Sequence, residues 1–141
     1  MRRSTHLTLM AIVAIVGAVT FGACNNTTPV TPTTTPAPTT TDTFNGTLNP
    51  NGARIFPFTV QAAGTLTATL TTVTPDSTIV VGLDLGTWNG TACQIIIANA
   101  NAVQGAVVTG SAGGSGTLCV RVYDVGNLTA NEDFVVTVVH P

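Results

Sequence analysis

The sequence predicts an all-β chain. It reads as one antiparallel β-sandwich of about eight strands, jelly-roll or Greek-key-like, behind an N-terminal address segment and a disordered Thr/Pro-rich linker. Three observations carry this. From Phe44 onward apolar residues recur with a period of two rather than 3.6, as half-buried strands require. Turn residues punctuate those runs at short intervals. Only 7% of the 141 residues are charged, and there are 28 Thr, 14 Gly and no Lys. The charged faces of a coiled coil or a surface-helical bundle cannot be built from so few charges.

Taken in order, the chain opens on Arg2 and Arg3, followed by an uncharged stretch from Leu7 to Phe21. A basic start, an apolar run and small residues before a break define a secretory signal, here residues 1–23. The run is shorter than the ~20 apolar residues a spanning helix needs. Gly22-Ala23-Cys24 ends it. That tripeptide resembles the lipobox of bacterial lipoproteins, with Phe21 where the family usually has Leu. The resemblance implies cleavage before Cys24, diacylglycerol on its thiol and acylation of the new amino group. Each buried CH₂ contributes roughly 0.8 kcal/mol, and two or more chains make a stable anchor. Asn25 follows where Asp often marks retention at the inner membrane, which implies the outer membrane of the bacterial envelope.

Residues 24–43 form the lipidated Cys and the linker. Asn25 to Thr43 holds ten Thr and four Pro in 19 residues, with one Val as its only large apolar side chain. No core can form from this composition. Pro favours extended polyproline II geometry, so the stalk would reach up to about 60 Å at ~3.1 Å per residue.

Residues 44–141 are the expected sandwich. Strands are expected near 43–48, 53–60, 64–72, 78–85, 92–98, 103–109, 116–124 and 133–139. Phe56, Phe58 and Val60 share one side, as do Leu66, Ala68 and Leu70, then Ile79, Val81, Leu83 and Leu85, then Leu118, Val120 and Val122, then Phe134, Val136 and Val138. The β-branched Thr and Val that fill these runs suit a pleated surface. Turn signals lie at Asn49 to Gly52, Ala63-Gly64, Thr74 to Asp76, Trp88 to Gly90, Gly110 to Gly116 and Asp124 to Asn127. The Gly-rich run from Gly110 to Gly116 is expected to be a hairpin connection.

Cys93 and Cys119 remain after Cys24. An exported chain meets an oxidising compartment, so a disulfide between them is expected. It would close a loop of about 26 residues and contribute on the order of 3 kcal/mol. Cys119 has the parity of Arg121 and Tyr123, opposite to Leu118, Val120 and Val122, which puts the bridge on a sheet's outer face or at a strand end.

The ordered set of motifs over 44–139 looks like the bacterial pre-peptidase C-terminal domain, a PPC-like β-sandwich. The matching pieces are Phe44 to Leu48, Phe56 to Val60, Ala63 to Leu70, Gly116 to Asp124 and Phe134 to Val138. The resemblance implies an accessory, non-catalytic module, in some relatives one that binds a polymer or a cell surface. With no protease domain in these residues, a stand-alone surface lipoprotein is the expectation.

The residues themselves point away from catalysis. After cleavage the one His is His140, beside Pro141, and no Ser sits in a Gly-x-Ser-x-Gly elbow. The Gly-rich run lacks the Lys of a phosphate loop. Arg54 and Arg121 against six acids exclude a nucleic-acid interface, which needs clustered Lys and Arg. No cofactor is expected. Calcium is the one ion weighed, with oxygen ligands from Asp76, Asp84 and Asp124 and from Asp133. Asp76 and Asp124 also suit turns. Trp88, in an expected loop tip, and Tyr123 are the candidate contacts for a surface polysaccharide or a protein partner. The functional expectation is a lipid-anchored envelope module that binds or supports, the alternative being a carbohydrate- or polymer-binding module that uses Trp88.

Overall fold

A computed structural model describes residues 38–141 of the chain. The signal segment, Cys24 and the linker up to residue 37 lie outside the described residues. Eight strands follow: β1 (Thr40–Leu48), β2 (Ala53–Val60), β3 (Gly64–Thr74), β4 (Val81–Trp88), β5 (Cys93–Ala102), β6 (Val107–Ala112), β7 (Gly116–Tyr123) and β8 (Glu132–His140). One sheet has the order β1-β8-β3-β6 and the other β2-β7-β4-β5, with every neighbouring pair antiparallel. The all-β, two-sheet sandwich is as the sequence predicts. Only β4 and β5 are joined within one sheet. Every other connection crosses to the opposite sheet, which is the jelly-roll arrangement.

The alternation in the sequence becomes the core between the sheets. Leu48, Leu70, Val73, Val136 and Val138 from one sheet meet Val60, Leu83, Val120 and Val122 from the other, all essentially without exposure. The two seams where the sheet edges meet differ. At the β1/β2 seam, Phe44 stacks on Phe56 at 5.1 Å, and Phe56 meets Phe134 edge-on at 6.1 Å. At the β5/β6 seam the side chains are smaller, and a cleft of about 420 Å³ is left between Leu66, Leu85, Ile97 and Leu118.

Several strand boundaries differ from those expected, for local reasons. β1 starts at Thr40 rather than 43, because Thr40 to Asp42 pair with Val138 to His140 at the far end of β8. The last residues assigned to the linker are therefore sheet. β4 runs from Val81 to Trp88 rather than over 78–85. Thr78 donates both its N–H and its hydroxyl to Asp76 Oδ1, at 2.9 and 2.7 Å, and this turn holds Ile79 outside the strand. β5 extends to Ala102 and β6 is displaced to 107–112. Pairing between β4 and β5 shifts register twice, between Val81 and Leu83 and between Leu85 and Gly86. The extra residues in β5 hide its period, as bulges do. Gly110 to Ala112 belong to β6, so the Gly-rich connection shrinks to 113–115.

Candidate functional site

The two outer faces of the sandwich are chemically unlike. On the outer face of the β1-β8-β3-β6 sheet the registers align hydroxyls in rows. Thr47 faces Asp133, which faces Thr74; Asn45 faces Val135, which faces Thr72. Thr43, Thr137, Thr69 and Val107 make the next row, then Thr41, Val139, Thr67 and Thr109, and Thr65 faces Ser111 at the end. A bulge between Leu70 and Thr72 turns Thr71 outward too, where its hydroxyl lies 3.3 Å from that of Thr137. The one formal charge in these rows is Asp133, which accepts a 2.6 Å hydrogen bond from Thr47 Oγ1. At this end the face sinks into a depression of about 340 Å³ walled by Asn45, Thr47, Thr72, Thr74, Asp133 and Val135. Because β-branched side chains are stiff at χ1, the hydroxyls of such rows are pre-positioned.

The outer face of the β2-β7-β4-β5 sheet holds the candidates chosen from sequence. Tyr123 lies over Gly82, where a Cβ would come within 1.9 Å of the ring. Arg121 lies 4.4 Å above the Tyr123 ring and donates from Nε to Asp84 Oδ2 at 2.9 Å, with a second bond from Nη2 to the same oxygen. Asp84 has no exposure, and its other oxygen accepts the Asn99 N–H at 3.3 Å. Next along β4, Gly86 faces Cys119, and Cys93 faces Trp88. Cys93 and Cys119 are at bonding distance, S–S 2.07 Å, and the pair joins β5 to β7 across the intervening β4. A side chain at Gly86 would stand 2.2 Å from Gln94 O, which is why the chain passes over a glycine here.

Trp88 is therefore not at a loop tip. It is the last residue of β4, half-buried, and the turn proper is Asn89 to Ala92, whose Thr91 and Ala92 N–H groups bond to Asn89 Oδ1. Trp88 and Tyr123 share a face but sit near opposite ends of β4, roughly 20 Å apart at ~3.3 Å per residue. They do not form one contact.

The acids weighed as calcium ligands are also separate. Asp84 is held by Arg121. The Thr78 hydroxyl and then the Thr78 N–H keep the Asp76 carboxyl below its ordinary pKa. Asp124 binds the Gly126, Asn127 and Leu128 N–H groups through Oδ1, and the Asn51 N–H through Oδ2 at 2.7 Å. Slight burial acts to raise its pKa, but these four donors outweigh it and the net direction is down. Asp133 lies with the hydroxyl rows. Among the described residues no three His, Cys, Asp or Glu side chains gather as a metal site would require. His140 is buried against Phe58, with Nε2 3.1 Å from Asp42 Oδ2.

Sequence reading missed the Asp84–Arg121 pair and the alignment of the Thr rows. A signal for the first was present: Asp84 lies between Leu83 and Leu85, and Arg121 between Val120 and Val122, opposite charges at equivalent places in two apolar strands. No family model matches the chain, and no curated protein matches it in sequence.

Proposed function

We propose that the chain is a non-catalytic, lipid-anchored module of the bacterial cell envelope that binds a neutral, hydroxyl-bearing polymer such as a surface polysaccharide. Cys24 carries the acyl groups in this reading, outer membrane rather than inner, and the Thr/Pro linker holds the sandwich away from the lipid. The observation that carries the binding role is the hydroxyl face of the β1-β8-β3-β6 sheet. Its rows offer donors and acceptors with a single formal charge, and the depression beside Asn45, Thr72 and Asp133 is of the size that takes a small ligand. A neutral polymer matches uncharged hydrogen-bonding groups without stranding a charge. The commitment of Asp84, Asp124 and His140 to structural hydrogen bonds supports a non-catalytic role. So does the resemblance to PPC-like accessory domains.

Two measurements test this. In cells expressing the full chain, Cys24→Ser moves the protein from the membrane pellet to the soluble fraction; a variant that stays in the pellet refutes the anchor. In pull-downs with insoluble neutral polysaccharides, Thr72→Val and Asn45→Ala weaken retention while Trp88→Ala leaves it unchanged. Loss on Trp88→Ala alone would move the contact to the aromatic at the end of β4.

A further inference from the structure

We propose that Asn89, in the turn between β4 and β5, is a site of spontaneous deamidation that proceeds through a succinimide closed onto the Gly90 nitrogen. The chain holds three Asn-Gly pairs: Asn45-Gly46, Asn51-Gly52 and Asn89-Gly90. Each sets a labile amide beside a residue with no Cβ to shield the nitrogen that would attack it. Local sequence therefore ranks the three alike. The fold separates them.

Asn45 stands within β1 opposite Val135, and Gly46 stands opposite Phe134. Ring closure there requires the strand to leave its partner. Asn51-Gly52 is pinned from several directions. The Asn51 N–H donates to Asp124 Oδ2 at 2.7 Å, the Gly52 N–H donates to Asn49 O at 2.8 Å, and Gly52 O accepts the Asp124 N–H at 2.9 Å. The attacking nitrogen of that pair is already committed as a donor. Its surroundings are also crowded, since a Cβ on Gly52 would lie 2.9 Å from Asn49 O.

Asn89 differs in each respect. Asn89 and Gly90 are exposed, and nothing lies within 4 Å of a Cβ built on Gly90. Among the described residues the Gly90 N–H donates to no backbone group. Asn89 Oδ1 accepts the Thr91 N–H at 3.0 Å and the Ala92 N–H at 2.8 Å. The ring closed by the Thr91 bond contains both Asn89 Cγ and Gly90 N, so the turn keeps the two reacting atoms together. The same two donors polarise the side-chain carbonyl and stabilise the negative charge that develops on its oxygen during attack.

The reaction balances with water alone. Water takes the Gly90 amide proton, and the nitrogen attacks Asn89 Cγ. A C–N bond forms, the Cγ–Nδ2 bond breaks, and Nδ2 leaves as ammonia with a proton from water. A further water then opens the cyclic imide. Opening at Cγ gives aspartate at position 89. Opening at the backbone carbonyl gives isoaspartate, with the main chain lengthened by a methylene. Nothing is oxidised or reduced. Either product places a new carboxylate beside Trp88, at the start of the turn.

The test incubates the purified full chain in mildly alkaline buffer and follows each Asn-Gly peptide by mass spectrometry, reading the replacement of NH₂ by OH. In the folded chain Asn89 is expected to convert at least about tenfold faster than Asn45 and Asn51. In denaturant, with the disulfide reduced, the three rates are expected to converge. Thr91→Pro removes one of the two N–H donors and is expected to slow Asn89 by roughly tenfold. Comparable rates at the three sites of the folded chain overturn the proposal. So does a ranking that survives denaturation, an Asn89 that converts more slowly folded than unfolded, or a rate that Thr91→Pro leaves unchanged or raises.

Discussion

Arg121 on β7 lies directly opposite Asp84 on β4, and its guanidinium is the cationic partner of a carboxylate with no exposure to solvent. Breaking a buried pair from one side leaves an uncompensated charge, which costs about 3–5 kcal/mol. Arg121→Ala is therefore expected to lose about that much in urea unfolding. The double variant Asp84→Leu with Arg121→Met removes both charges and is expected to fall within about 1 kcal/mol of wild type or above it. Equal losses in the single and double variants would show that the uncompensated Asp84 charge is not what the single variant suffers from.

Joining Cys93 to Cys119 ties β5, an edge strand, to β7, a central one. The sequence separation of 26 corresponds to about 3 kcal/mol of lost unfolded-state entropy. Melting in the presence of a reductant, or of Cys93→Ser with Cys119→Ser, is expected to come on the order of 15 °C lower. Thiol titration of the unfolded, unreduced protein should find neither cysteine free.

The Asp124 carboxylate ties the β7–β8 turn to the β1–β2 turn through Asn51. Its pKa is lower in the folded chain than in the unfolded one. The stability it contributes is therefore fully present above the unfolded value near 4 and is lost as pH falls through the lower folded value. Asp124→Asn is expected to lower the melting temperature at pH 7, with the gap to wild type closing as acid protonates the carboxyl. The group is largely solvated, so the effect is modest and screened by salt. A gap that is constant from pH 7 to pH 2 would assign the loss to geometry alone.

Two glycines of β4 separate a flexible obstacle from a rigid one. At Gly82 an added methyl meets the Tyr123 ring, which can swing away at the expense of its contact with Arg121. At Gly86 it meets the Gln94 carbonyl, which is backbone. Gly82→Ala is expected to cost about 1–3 kcal/mol. Gly86→Ala is expected to cost more, and to shift the amide resonances of β5 in an NMR spectrum while Gly82→Ala leaves them in place.

Most strands are legible from local alternation alone. Leu66-Thr67-Ala68-Thr69-Leu70 can bury one side and expose the other only as a strand, and it does so. What alternation does not carry is register. Thr43, Thr137 and Thr69 are far apart in sequence, and nothing in any one of those segments says that they stand in one row. The same long range hides the partnership of Asp84 with Arg121. Where local signals mislead, a bulge or a side-chain turn is the cause. Ile95-Ile96-Ile97 shows no alternation because one residue is extra, and Gly86 and Gly90 make Trp88 look like a loop residue although only Gly90 lies in the turn.

The order of the strands also bears on when the chain can fold. β7 and β8, the last to be synthesised, each occupy an interior place, between β2 and β4 and between β1 and β3. The first six strands alone can form the β4–β5 hairpin and the β3–β6 pair, but neither sheet can close. Assembly waits for the C-terminal residues and then proceeds through distant partners, the regime of slow folding. A chain that ends before Gly116 thus leaves both β1 and β2 without a sheet partner, since β8 and β7 are the strands they pair with.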